Sequence, residues 1–313
     1  MKTIVFISGL APDAQSQWLA LIKKQLPNET ILLSQHISDS QVKNVDIAVV
    51  ANPDPKELTR FPHLVWVQSL WAGVEKLIGE TFKRPIKLVK LVDPHLAKSM
   101  AESVLAWTLY LQRNMPEYAQ QQLKRQWHQL PCISSEELRV SVLGAGTLGI
   151  AALNSLRKLE YQVSCWSRTS KQLNGVKSFT GIRGLQTMLN NTDILINLLP
   201  LTQHTYHLLN KESLSKLPTG AKLINFSRGS IVDTKAMLKL LKNGHLSHAV
   251  LDVFEHEPLI SSDRIWQTPN ITVLPHISAP TNMYSASQVV AKNIKMYRDK
   301  NIIPHYIDVE VGY

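Results

Sequence analysis

Short, continuous apolar runs recur along this chain, and most are followed by a turn and then a segment with helical spacing. The first series covers residues 3–8, 31–34, 46–51, 64–68 and 87–92. Between the first two runs, Trp18, Leu19, Leu21, Ile22 and Leu26 fall at helical intervals. An unbroken apolar run, rather than an alternating one, predicts a strand buried on both faces, as in a parallel sheet covered by helices. A second series follows at 139–143, 162–166, 193–199, 222–226, 249–253 and 271–274. Six such strands with helical crossovers predict a doubly wound, dinucleotide-binding domain. Residues 99–126 and 285–298 read as long helices, and the tail from 302 is too short to stand alone. The economical reading is one domain at 1–98 that regains the chain at 285–313, with a second domain, 99–284, inserted in it.

The sharpest local motif is Gly144-Ala145-Gly146-Thr147-Leu148-Gly149, which follows the strand at 139–143 and opens a helix over 150–159. In that setting the first glycine makes the turn, the second lets backbone approach a pyrophosphate, and the third lets helix and strand pack closely. No Lys-Ser or Lys-Thr follows, so a P-loop is excluded. An NAD-binding fold places an acidic residue near the end of the next strand, whereas NADP requires cations there. Here that strand runs into Ser167-Arg168-Thr169-Ser170-Lys171, and residues 161–192 contain no Asp or Glu. Arg168 and Lys171, with Ser167 and Thr169 between and beside them, suit a 2′-phosphate, so NADP is preferred over NAD.

Composition changes this picture little. The chain has 313 residues, 44% hydrophobic and 19% charged, which excludes disordered, collagen-like and coiled-coil classes. Its longest apolar stretches, such as 194–201, are too short to span a bilayer, so no membrane partner is expected. The apolar run after Lys2 stops at Pro12-Asp13 and reads as a strand, not a signal peptide, which implies a cytoplasmic protein. Cys132 and Cys165 form neither a disulfide framework nor a metal pattern, and His204-x-x-His207 and His245-x-x-His248 lack a third ligand, so no metal is expected. Charge is more informative. The net charge is +10, and residues 139–192 carry seven basic side chains against the single acidic Glu160, a local excess of +6. Most of the excess therefore lies where the adenosine end of a dinucleotide is expected. No helix-turn-helix or RNA-recognition signature accompanies it, so nucleic acid is not an expected partner.

Three further segments carry polar residues just beyond strand ends, where doubly wound sheets bind ligands. The first holds Asn225, Arg228, Gly229, Val232 and Asp233; the second is Leu251-Asp252-Val253-Phe254 followed by Glu257-Pro258-Leu259; the third is Pro275-His276. Taken singly, each has a plain structural reading. In this order behind the glycine motif, they resemble the D-isomer-specific 2-hydroxyacid dehydrogenase family over essentially the whole chain. Cys165-Trp166-Ser167-Arg168-Thr169, Trp127-His128, Ile196-Asn197-Leu198-Leu199-Pro200 and the closing Gly312-Tyr313 add to the likeness.

The resemblance implies a Rossmann cofactor domain inserted in a smaller flavodoxin-like substrate domain, a homodimer, and hydride transfer from NADPH to a small 2-oxo acid such as glyoxylate or hydroxypyruvate. It implies that Arg228 clamps the substrate, that His276 protonates the carbonyl oxygen, and that Glu257 orients the imidazole and raises its pKa. It adds Leu199, Pro200, Thr205, Phe226, Ser227, Asp252 and His276 to the cofactor contacts, and gives the backbone of Trp71-Ala72-Gly73 to the substrate carboxylate. Trp71 departs from the small residue common at that place, which leaves a different 2-oxo acid open. Ala51-Asn52-Pro53 is a further candidate lining segment without an assigned role. A nucleotide-sensing binding protein that has lost turnover is the alternative, but it has no need of Arg228, Glu257 and His276 together.

Overall fold

The structure, a computed structural model, describes residues 2–78 and 86–308; Gly312-Tyr313 lies outside them. The chain divides into two compact units, Met1–His95 with Thr281–Tyr313, and Leu96–Pro280.

The first unit is built on β1 (Thr3–Ser8), β2 (Thr30–Leu33), β3 (Val45–Ala51), β4 (Trp66–Ser69) and β5 (Lys87–Val89). All pairs are parallel, in the order β2-β1-β3-β4-β5, the flavodoxin-like order. Every residue of β3 is buried, apolar from Ile47 to Ala51 and with Asp46 near its start. The helix Pro12–Gln25 starts on a proline, whose missing N–H costs nothing there, and buries Trp18 and Ile22. Those two side chains share a core cluster with Ala286, Val290 and Ile294 of the helix Met283–Lys300. An ion-pair network fixes this returning helix. Arg298 donates from Nη1 and Nη2 to Asp46 at 2.5 and 3.0 Å and from Nε to Glu29 at 3.0 Å. Asp46 interrupts a buried strand, so its charge needs such a partner.

The second unit contains β6 (Arg139–Leu143), β7 (Gln162–Trp166), β8 (Val176–Phe179), β9 (Ile194–Asn197), β10 (Ala221–Asn225), β11 (Leu246–Leu251) and β12 (Ile271–Val273). They form one parallel sheet ordered β12-β11-β10-β9-β6-β7-β8. The order reverses at β6, so the glycine-rich turn after that strand opens at the switch point, where such sheets bind ligands.

Two expectations change here. The second series has a further strand, β8, whose sequence Val-Lys-Ser-Phe breaks the apolar run because it is an edge strand facing solvent with Lys177. The single helix expected over 99–126 is two, Pro94–Gln112 and Met115–Leu123. Asn114 breaks it by adopting φ 53°, a left-handed conformation that Asn tolerates.

Away from the glycine turn, β11 carries a buried histidine. His248 is 4% exposed, bonds Thr272 Oγ1 through Nε2 at 2.9 Å, and has no hydrogen-bond partner at Nδ1. Burial, reinforced by the Lys222 charge, pushes its pKa down to about 4. Above pH 6.5 the imidazole is neutral whether the chain is folded or not. As pH falls below 6.5, the unfolded chain takes up a proton that the folded one refuses, so stability declines until about pH 4. The loss should be of order 1–3 kcal/mol. Thermal melts between pH 7 and 4 should show a shallower decline in His248→Gln than in the wild type; parallel curves would contradict this.

Candidate active site

The glycine turn has the form a pyrophosphate needs. Gly144 sits at φ +97°, and a Cβ there would lie 2.8 Å from the Leu198 carbonyl oxygen. A Cβ on Gly149 would stand 1.8 Å from the Gly144 carbonyl oxygen, so this glycine allows the helix Thr147–Lys158 to leave the turn at once. Gly146 is different: a Cβ there would meet nothing within 4 Å. It precedes the helix and is exposed with Thr147, whereas Ala145 is buried. Backbone N–H groups at the start of a helix lack intrahelical acceptors and favour an anion. Open space over Gly146 therefore fits a dinucleotide phosphate.

At the end of β7, Ser167 is held by its N–H to the Phe179 carbonyl at 3.2 Å and by its Oγ to the Thr169 carbonyl at 2.8 Å. Arg168 and Thr169 are exposed on this turn, and Lys171 is half-buried, with its N–H on Ser178 Oγ at 2.9 Å. The loops after β9 and β10 are joined by a buried amide pair, in which Asn197 Nδ2 donates to Asn225 Oδ1 at 2.9 Å. The other amide groups of the pair reach onward, to Leu199 N at 3.2 Å and to the Arg228 carbonyl at 3.2 Å. Ser227 Oγ donates to the Leu199 carbonyl, and Thr205 Oγ1 donates to the Pro200 carbonyl at 2.7 Å. Leu199, Phe226 and Ser227 are buried, so any contact from this region to a ligand comes mainly through backbone. The role of Asn197 as a brace was not separable in sequence from its apolar strand, although an Asn at the end of an apolar run is the signal that could have marked it.

Two of the residues expected to act in the reaction, Glu257 and His276, meet beyond the ends of β11 and β12. Glu257 Oε2 lies 2.7 Å from His276 Nδ1, and Glu257 Oε1 accepts from Phe254 N at 2.9 Å. The carboxylate is thereby fixed at one oxygen and orients the ring with the other, through Nδ1, on a side chain that is 54% exposed. His276 has φ 56°, a left-handed conformation costing about 1–3 kcal/mol for a residue with a side chain. Asp252 holds it there. Its carbonyl accepts from His276 N at 2.9 Å, and its carboxylate oxygens accept from Ile277 N at 2.7 Å and Ser278 N at 2.9 Å. Asp252, expected against the cofactor, is buried and has both oxygens engaged in bracing the His276 loop. Ser103 Oγ adds a bond to the Ser278 carbonyl at 2.5 Å, a contact over 175 positions that no local pattern announces.

Arg228 is half-buried after β10, with Nη1 on the Ser227 carbonyl at 2.7 Å. The glycine beside it is obligatory. A Cβ on Gly229 would stand 2.0 Å from the Phe254 carbonyl carbon and 2.2 Å from Glu255 N, so the Arg228 loop presses directly on the segment leading to Glu257. In the first unit, Trp71 and its neighbours Ala72 and Gly73 are half-buried at the end of β4. The Trp71 indole donates to Asn52 Oδ1 at 3.0 Å, which gives Asn52 a partner that its sequence context did not supply.

Residues 105–278 match the model of the D-isomer specific 2-hydroxyacid dehydrogenase NAD-binding domain. The chain belongs to the D-isomer-specific 2-hydroxyacid dehydrogenase family. It is an oxidoreductase of that family by its full-length likenesses too. It is 33% identical to a glyoxylate/hydroxypyruvate reductase A of Yersinia enterocolitica over 303 residues, 95% of this chain and 96% of the relative. Among solved structures, a family member from Xanthobacter autotrophicus Py2 in complex with NADPH and MES superposes with a TM-score of 0.93 at 32% identity, covering 100% of this chain and 99% of the other. An NADPH-dependent glyoxylate/hydroxypyruvate reductase from Sinorhizobium meliloti, in complex with NADP and sulfate, gives a TM-score of 0.91 at 28% identity and covers both chains fully.

Proposed function

We propose that this dehydrogenase reduces small 2-oxo acids, glyoxylate to glycolate and hydroxypyruvate to D-glycerate, with NADPH as its preferred cofactor. The observation that carries the reading is the Glu257–His276 pair, in which the carboxylate engages Nδ1 of a half-exposed imidazole and leaves Nε2 to act as the proton donor. NADPH, when bound, supplies the hydride that reaches C2 of the acid. His276 gives its Nε2 proton to the carbonyl oxygen as that oxygen gains charge, and it regains a proton from solvent afterwards. Glu257 keeps the ring oriented through its bond to Nδ1. Arg228 offers a planar fork of donors to the carboxylate or the 2-oxo oxygen, and the backbone of Ala72 and Gly73 offers N–H groups to the carboxylate, the Trp71 N–H expected with them being already held by Ser69 Oγ at 3.0 Å.

The turn over Gly146 receives the pyrophosphate, and Ser167, Arg168, Thr169 and Lys171 receive the 2′-phosphate. The activities of the relatives and the NADPH and NADP bound in two of the related structures support the same reading. The expected homodimer rests on the family resemblance, and light scattering on the purified chain tests the assembly.

A panel of 2-oxo acids assayed with both cofactors tests the proposal. NADPH should support faster turnover than NADH. Arg168→Ala should erode that preference by roughly ten- to a hundredfold, since one charge-assisted hydrogen bond is worth about 1.5–3 kcal/mol. A wild type that prefers NADH would overturn the assignment of the Arg168 turn.

A further inference from the structure

Residues 52 and 71 follow neighbouring strands whose ends are in register, Val50 of β3 opposite Ser69 of β4. Both therefore lie at the carboxyl edge of the first sheet, the edge at which open α/β sheets bind ligands. The backbone of Trp71 is fixed on both sides: its N–H donates to Ser69 Oγ at 3.0 Å, and its carbonyl accepts from Leu91 N at 3.0 Å. The ring is placed by side-chain contacts instead. The Trp18 indole meets it edge-on, with centroids 6.1 Å apart and planes at 84°. Asn52 Oδ1 takes the indole N–H at 3.0 Å.

Asn52 is itself anchored. It adopts φ 50°, and the space beside its carbonyl is so close that a Cβ on Gly9 would lie 2.5 Å from the oxygen. Gly9 N in turn donates to the Ala51 carbonyl at 3.0 Å. Asn, Asp and Gly are the residues that take such a φ readily, and of these Asn and Asp present an acceptor. The residues after Trp71 in the loop, Ala72 and Gly73, are small, so the indole is the bulk of the loop.

We propose that Asn52 is a positioning residue for Trp71, fixing the indole as a wall that limits the length of the 2-oxo acid accepted at the Trp71-Ala72-Gly73 loop. This rests on the reading that the loop receives the substrate carboxylate. Freed from Asn52, the ring can swing on its side-chain torsions, and the space it guarded opens to a longer carbon chain. One methylene of fit is worth tenfold or more in discrimination.

Two substitutions at Asn52 separate the acceptor from the backbone conformation. Asn52→Gly keeps the left-handed turn and removes the acceptor, whereas Asn52→Asp keeps both. Asn52→Gly should raise the ratio of kcat/KM for 2-oxobutyrate to that for glyoxylate by about tenfold. Asn52→Asp should leave the ratio within twofold of the wild type. Trp71→Phe, which cannot donate, should shift the ratio in the same direction, and adding Asn52→Gly to it should change nothing further.

A second readout is independent of turnover. The edge-paired Trp18 and Trp71 should give an exciton couplet in the far-ultraviolet circular dichroism that weakens in Asn52→Gly and Trp71→Phe but not in Asn52→Asp. An unchanged couplet in Asn52→Gly overturns the positioning of the ring. A weakened couplet with an unchanged substrate ratio overturns the selectivity role. A wild type that reduces no 2-oxo acid overturns the functional reading itself, and the selectivity role with it, whatever the couplet shows.

Discussion

Replacing His276 with alanine is expected to lower kcat by about a hundred- to ten-thousandfold, the range for removal of a general acid, while the NADPH dissociation constant moves by a few fold at most. The expectation follows from how the residue is held. Its left-handed backbone is braced by three bonds to Asp252, none of which involves the imidazole. Truncating the side chain therefore removes the donor and its bond to Glu257 but leaves the loop anchored. Pre-steady-state measurement of NADPH oxidation, with cofactor binding followed by fluorescence, separates the two effects. Turnover equal to the wild type in a folded His276→Ala protein would sink the assignment. Glu257→Gln should cost less, because an amide can still accept a bond from the ring and keep it oriented.

The second large effect is expected at Gly229. Alanine there would place a Cβ about as close to the Phe254–Glu255 peptide as a covalent neighbour, 2.0 and 2.2 Å. Neither contact is the far end of a flexible side chain, so two backbones must separate. Overpacking of this kind costs about 1–3 kcal/mol, and the movement is transmitted to both Arg228 and the segment that holds Glu257. Gly229→Ala should thus lose thermal stability and kcat/KM together. Gly146→Ala supplies the contrast. Its Cβ position is open and its φ of −83° suits any residue, so stability should stay within about 0.5 kcal/mol while NADPH binding weakens. If the melting temperature fell as far in Gly146→Ala as in Gly229→Ala, the distinction between the two glycines would be lost.

Much of the candidate site is readable in the chain because its chemistry is local. The Gly144–Gly149 spacing, the Arg168 turn without acidic neighbours, and Arg228, Glu257 and His276 beyond strand ends all lie within a few residues of a recognisable strand. The bracing residues are not readable in that way. Asn197 looks like an irregularity in an apolar run, Asp252 like one more polar residue at a strand end, and Asn52 like a turn residue before proline. Their partners lie at Asn225, at Ile277 and Ser278, and at Trp71, separations over which sequence spacing carries no geometric information. β8 escaped for the opposite reason: an edge strand need bury only part of itself, so its pattern is weak.

The excess of positive charge around 139–192 and the alternation of apolar runs with helices were determined by the sequence alone, since burial on both faces of a parallel strand demands an unbroken apolar stretch. What only the tertiary structure decided is which polar side chains meet. Glu257 reaches His276, Asn52 reaches Trp71, and Arg298 reaches Asp46. Each pair comes together because packed strands and helices bring distant positions within hydrogen-bonding distance, and buried or oriented polar groups are stable only where such partners exist.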